Sequence, residues 1–171
     1  MLKHMLRFSL RISRIWLLVL VLFMALPCAN AGKQYSHGQY VGQCVQLVRQ
    51  YFRNNYDLMP ALCQFSRDCG AYLIYEHWDL GGGKGTKPLP NSILVLGRDE
   101  HLDRGHCAIV TRVEKLDDST YILHGMDANW NLDGRVQTEF TWYYNPYERT
   151  VKRDNLTAEL KVLGFVYAPR Q

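Results

Sequence analysis

No acidic residue accompanies Lys3, Arg7, Arg11 and Arg14 at the front of this 171-residue chain. Ile15 to Leu26 follows as an almost unbroken apolar run, and Ala29-Asn30-Ala31 then places small residues at the two positions a signal peptidase reads. Residues 1–31 are therefore expected to be a secretory signal peptide, cut before Gly32. The apolar run is short for a spanning helix, and Pro27 disfavours a lipidated Cys28. Surplus positive charge is lacking too. Four of the 20 Lys and Arg residues lie in the leader, which leaves 16 against 16 Asp and Glu. So balanced a chain offers no phosphate-neutralising surface, and nucleic acid is not an expected partner. Internal repeats, low-complexity tails and an interdomain linker are absent. Residues 32–171 read as one domain large enough to bury a core, secreted or periplasmic and free of the membrane once the leader is removed.

Metal and phosphate signatures are also lacking. Asp127, Asn129, Asn131 and Asp133 begin like a calcium loop, but Leu132 stands where glycine is needed and Thr138 where a bidentate glutamate belongs. Asp99, Glu100, His101 and Asp103 sit in a polar loop without ligand spacing. Gly85 follows Lys84 where a phosphate loop requires Ser or Thr. No metal and no cofactor are expected. Asn155-Leu156-Thr157 is a glycosylation sequon by pattern only.

What is present begins at Tyr40-Val41-Gly42-Gln43-Cys44-Val45-Gln46-Leu47-Val48. Val41, Val45, Val48 and Phe52 recur at the spacing of one buried helical face, so the stretch predicts a helix from Cys44 to about Arg53. Cys44 then lies in a first turn, where unpaired N–H groups and the helix dipole favour thiolate over thiol. A second helix is expected over about Cys69 to Trp78. Strands follow at Ser92 to Leu96, His106 to Glu114, Thr120 to Met126, Arg135 to Tyr143 and Lys161 to Tyr167. Helices first and then a strand meander give the expected class: α+β, with N-terminal helices packed on an antiparallel sheet. Of the remaining cysteines, Cys63 and Cys69 can pair with each other across a short loop, and Cys107 reads as a strand core residue.

The chemistry lies in the order of three segments. Cys44 heads a helix, His106 opens a strand 62 residues later, and Asp127-Ala128-Asn129-Trp130 closes the next strand. Two antiparallel strands joined by a short turn bring the start of one beside the end of the other. A polar group there can hold one ring nitrogen of His106 and leave the other to face the thiol, which is the papain-like layout. Asp127 is favoured for that group, with Asn129 kept as a partner. Trp130 is the expected cleft wall. Cys44 N–H and a group from Gln39 or Tyr40 are expected to hold the oxyanion.

The chain resembles the CHAP domain (cysteine, histidine-dependent amidohydrolases/peptidases). The likeness rests on Gly42-Gln43-Cys44-Val45, Gly105-His106-Cys107-Ala108-Ile109-Val110, Asp127-Ala128-Asn129-Trp130-Asn131 and Leu163-Gly164-Phe165-Val166-Tyr167. It implies a papain-like fold that cuts amide bonds in bacterial peptidoglycan, with Cys44 as nucleophile and His106 as base. Asp127 falls where many members carry a glutamate one methylene longer, and Asn129 where they carry an asparagine. The chain departs from the family at Asn91-Ser92 and at Cys107. The Asp-Cys-Ser motif of NlpC-type peptidases is absent around Cys44. From another class, the alternative is a catalytically silent cell-wall-binding or assembly protein that keeps the fold.

Overall fold

The computed structural model describes residues 35–39, 41–59, 70–77, 81–154 and 157–169, all within the compact unit Lys33–Gln171. The leader, Tyr40, Cys63, Cys69, Trp78 and Asn155 lie outside the described residues. Helix α1 is Cys44–Tyr56 and α2 is Tyr72–His77. The strands are β1 (Lys84–Gly85), β2 (Ser92–Leu96), β3 (His106–Lys115), β4 (Tyr121–Ala128), β5 (Val136–Asn145), β6 (Thr150–Arg153) and β7 (Leu160–Val166).

α1 forms where the apolar spacing predicts. Val45, Leu47, Val48 and Phe52 are buried along it. Its start is fixed by Gly42 at φ +85°, a backbone state that glycine adopts without a steric penalty, and by the Gln46 side chain, which accepts the Gln43 N–H at 2.9 Å. It runs one turn past the expected end. Asn54 and Asn55 remain helical, and Asp57 stops the helix in the left-handed conformation, with its N–H on the Arg53 carbonyl at 3.1 Å.

The strands pair antiparallel in the order β1-β7-β2-β3-β4-β5-β6, and β6 pairs again with β7. Ile93 faces Ile109 across β2–β3, Val110 faces Gly125 across β3–β4, and Asp127 faces Gln137 across β4–β5. Closure comes from a division of labour along β7. Residues 162–166 pair with β2, while Leu160 and Lys161 pair with Val151 and Thr150 of β6. The expected α+β, papain-like layering of N-terminal helices on a sheet is therefore corrected. The molecule is mostly antiparallel sheet, closed as a six-stranded barrel of β2 to β7, with two helices of 13 and 6 residues among the described residues.

Alternation along the strands sorts the core into two clusters. Leu94, Ala108, Leu123, Trp142, Val151 and Val162, one from each barrel strand, belong to a single cluster that fills the lumen. Their neighbours Ile93, Val95, Cys107 and Ile109 point the other way, into a second cluster shared with Val45, Val48 and Phe52 of α1 and Ile74 of α2. All of β2 is consequently buried on both faces. α1 is thereby fixed against the outer side of β3, beside the end where His106 begins. Among the described residues no helix is long and apolar enough to cross a membrane.

Candidate active site

Cys44 is the first residue of α1 and is 8% exposed. Its backbone N–H belongs to the first turn, which has no intrahelical acceptor. His106 opens β3 and is 6% exposed. Asp127 lies in β4 and is fully buried. His106 Nε2 donates to Asp127 Oδ2 at 3.1 Å, and the Cys44 and His106 side chains are close enough for each to shift the other's titration. With Nε2 held by the carboxylate, Nδ1 is the ring nitrogen left for the sulfur. The shorter aspartate thus reaches the ring. Trp130 packs edge-on against His106 with ring centroids 4.9 Å apart.

Electrostatics follow from these contacts. The Cys44 thiol is held well below its ordinary range, first by a hydrogen bond from the Cys107 thiol. Burial opposes this, and the charge and hydrogen bond of His106 add to it. For His106, burial works against the charged ring. The Cys44 thiolate, together with the hydrogen bond and charge of Asp127, outweighs burial and raises the imidazole to about 10. Cys107 is pushed well above its usual range, chiefly by burial and then by its bond to Cys44. The site therefore favours a thiolate–imidazolium pair. Both Cys44 and Cys107 are free thiols.

Asn129, expected as a partner of Asp127, does not bond the imidazole. At φ +62° it leaves the extended path of β4, so its side chain does not share the face of Asp127. Its Nδ2 donates to Gln43 Oε1 at 3.0 Å, and its Oδ1 accepts the Gly134 N–H at 2.8 Å. It lines the cleft beside His106 but makes its hydrogen bonds elsewhere. Gln39 is turned away as well, its Oε1 accepting the Ser36 N–H at 3.3 Å. Gln43, directly before the cysteine, is the upstream polar side chain that lines the cleft.

Sequence reasoning missed Arg153. Only 6% exposed, it donates from Nη1 to Asp127 Oδ2 at 3.3 Å and from Nη2 to Gln137 Oε1 at 2.6 Å. Its guanidinium also stacks on Trp130, 4.6 Å from the ring centroid. Arg153 and His106 thus converge on one carboxylate oxygen, Asp127 Oδ2, while Asp127 Oδ1 has no hydrogen-bond partner among the described residues. No local pattern marks Arg153, because β6 stands two strands from β4, on the far side of β5.

Cys44 and His106, with Asp127 buried behind the ring, open on a cleft of about 800 Å³, walled by Gln43, Asn129 and Trp130 and further by Arg49 and Arg104. A family model described as CHAP domain matches residues 34–126, more than half of the chain. The chain belongs to the CHAP domain family. The matched stretch carries Cys44 and His106, while Asp127, Asn129 and Arg153 lie beyond it. No curated protein matches the chain. CHAP domain membership implies hydrolase or amidase-type activity directed at peptidoglycan. Among the described residues no cluster of His, Cys, Asp and Glu has the geometry to hold a metal ion.

Proposed function

We propose that this CHAP domain is a secreted or periplasmic cysteine hydrolase that cuts amide bonds in peptidoglycan. The leader supports export, with the mature domain beginning at Gly32. The observation that carries the chemistry is the buried line Cys44–His106–Asp127 opening on the cleft.

The Cys44 thiolate attacks the amide carbonyl carbon, and the carbonyl electrons move to oxygen. The Cys44 N–H and the Gln43 side-chain amide, held by Asn129, stabilise that oxyanion. Its collapse expels the amine, which takes the proton from the His106 imidazolium and leaves a thioester. Neutral His106 then takes a proton from water as the water attacks the thioester. The carboxylic product leaves, and thiolate and imidazolium are restored. Asp127 keeps the ring oriented throughout.

Zymography on purified sacculi with the mature protein and with Cys44→Ala tests this reading. Clearing by the former and none by the latter is the expected result. Equal clearing by both removes Cys44 as nucleophile, and retained binding without clearing by either marks a silent wall-binding protein.

A further inference from the structure

Arg49 lies on α1 five residues after Cys44 and lines the same cleft, half-buried. Its Nε is buried and has no hydrogen-bond partner, and no carboxylate pairs with it among the described residues. Leaving a buried guanidinium N–H without an acceptor is unfavourable, so the group is poised for an acceptor brought into the cleft. The contrast with Arg153 is direct, since that guanidinium is already occupied by Asp127 and Gln137. The other charged groups on the cleft wall are exposed: Arg104, Asp103, and His101, which pairs with Glu100 at 3.5 Å. Two arginines against one aspartate bias the cleft toward an anion.

From these observations we infer that Arg49 is a substrate-binding residue that takes a peptide carboxylate in a two-pronged hydrogen bond. This rests on the peptidoglycan-hydrolase reading and names its substrate as an acidic stem peptide. The guanidinium fork matches a carboxylate in plane and spacing. Helix geometry sets where that carboxylate lies. Five residues of helix rise about 7.5 Å, and side chains lean toward the helix N-terminus, here toward Cys44. An extended peptide advances about 3.3–3.6 Å per residue. The recognised carboxylate therefore sits within about two residues of the amide that is cut.

The test reads binding apart from turnover. The full chain, expressed with its leader so that the cell processes it, carries Cys44→Ala and is titrated calorimetrically with a synthetic acidic stem peptide. The same peptide with its carboxylates converted to carboxamides is the control probe. The acid form is expected to bind roughly tenfold or more tightly than the carboxamide. Arg49→Gln abolishes that preference and leaves carboxamide affinity unchanged, while Arg49→Lys retains part of it. Unchanged thermal midpoints keep folding out of the comparison. Equal affinity for the two peptides, an Arg49→Gln protein that still prefers the acid, or no binding of either peptide overturns the assignment. Sacculus clearing by the protein with Cys44 intact is scored in parallel. Clearing without a carboxylate preference removes only the Arg49 subsite, whereas a preference without clearing removes only the hydrolase reading.

Discussion

Two titrations bound the working range of the Cys44–His106 pair. The Cys44 thiolate, depressed first by the Cys107 hydrogen bond, is lost only as pH falls through its lowered pKa. The His106 imidazolium is raised, so it is lost as pH rises through about 10. Hydrolysis of dye-labelled sacculi is therefore expected to hold a plateau across neutral pH, with an alkaline limb near 10. Iodoacetamide labelling of Cys44 should titrate well below pH 8.5, the free-thiol value; a midpoint there would remove the ion pair. Asp127→Asn removes the charge behind the ring and is expected to slow hydrolysis by roughly 10²- to 10⁴-fold, measured at saturating substrate. Arg153→Met leaves Asp127 Oδ2 with one partner instead of two. It is expected to cost about 1–3 kcal/mol of stability, read as a lower denaturation midpoint, because the buried carboxylate loses one of its two charged donors and keeps only His106. Cys44, His106 and Asp127 were legible because each sits at an element end that local pattern marks. Asn129 was misplaced because a single left-handed residue turns its side chain away from the alternation that sequence reading assumes.

Element boundaries carry the site as much as its side chains do. Gly105, at φ +65°, delivers the chain into β3, and its Cα lies so close to β2 that a Cβ would stand 2.5 Å from the Leu96 carbonyl oxygen. Leu96 is the register partner of His106. Gly105→Ala is thus expected to push the two strands apart where the imidazole is anchored. Loss of a large share of hydrolytic rate, alongside a stability cost of about 1–3 kcal/mol for the forced left-handed residue, would be the signature. A protein with normal rate and normal melting would show that the ring is positioned from elsewhere. The periodicity of α1 and the alternation of β3 were strong enough to read directly, and the bounds of β2 matched residue for residue. The α1 end was read a turn early because paired asparagines signal a stop that Tyr56 and Asp57 override.

At the scale of the whole molecule, closure of the sheet is the feature no local pattern announces. β6 is four residues long, and Val151 and Leu160 meet only because β7 changes partner along its length. That contact joins residues whose significance is set by tertiary pairing, so β2 to β5 and β7 were legible one by one, while β1, β6 and the barrel were not. Leu160 is 1% exposed, packs in the lumen and also lines the cleft. Leu160→Ala is expected to destabilise the fold by about 2–5 kcal/mol, and guanidinium unfolding followed by tryptophan emission would measure it. Little change would mean that the seam is dispensable. The same seam sets the smallest portable unit. A fragment trimmed to residues 34–126 would keep the sulfur and the imidazole yet forfeit Asp127, the arginine behind it and the strand that seals the wall. Anyone grafting this domain onto another protein should carry the chain through Val166, since an abridged copy would hold a cysteine and a histidine with nothing to align them.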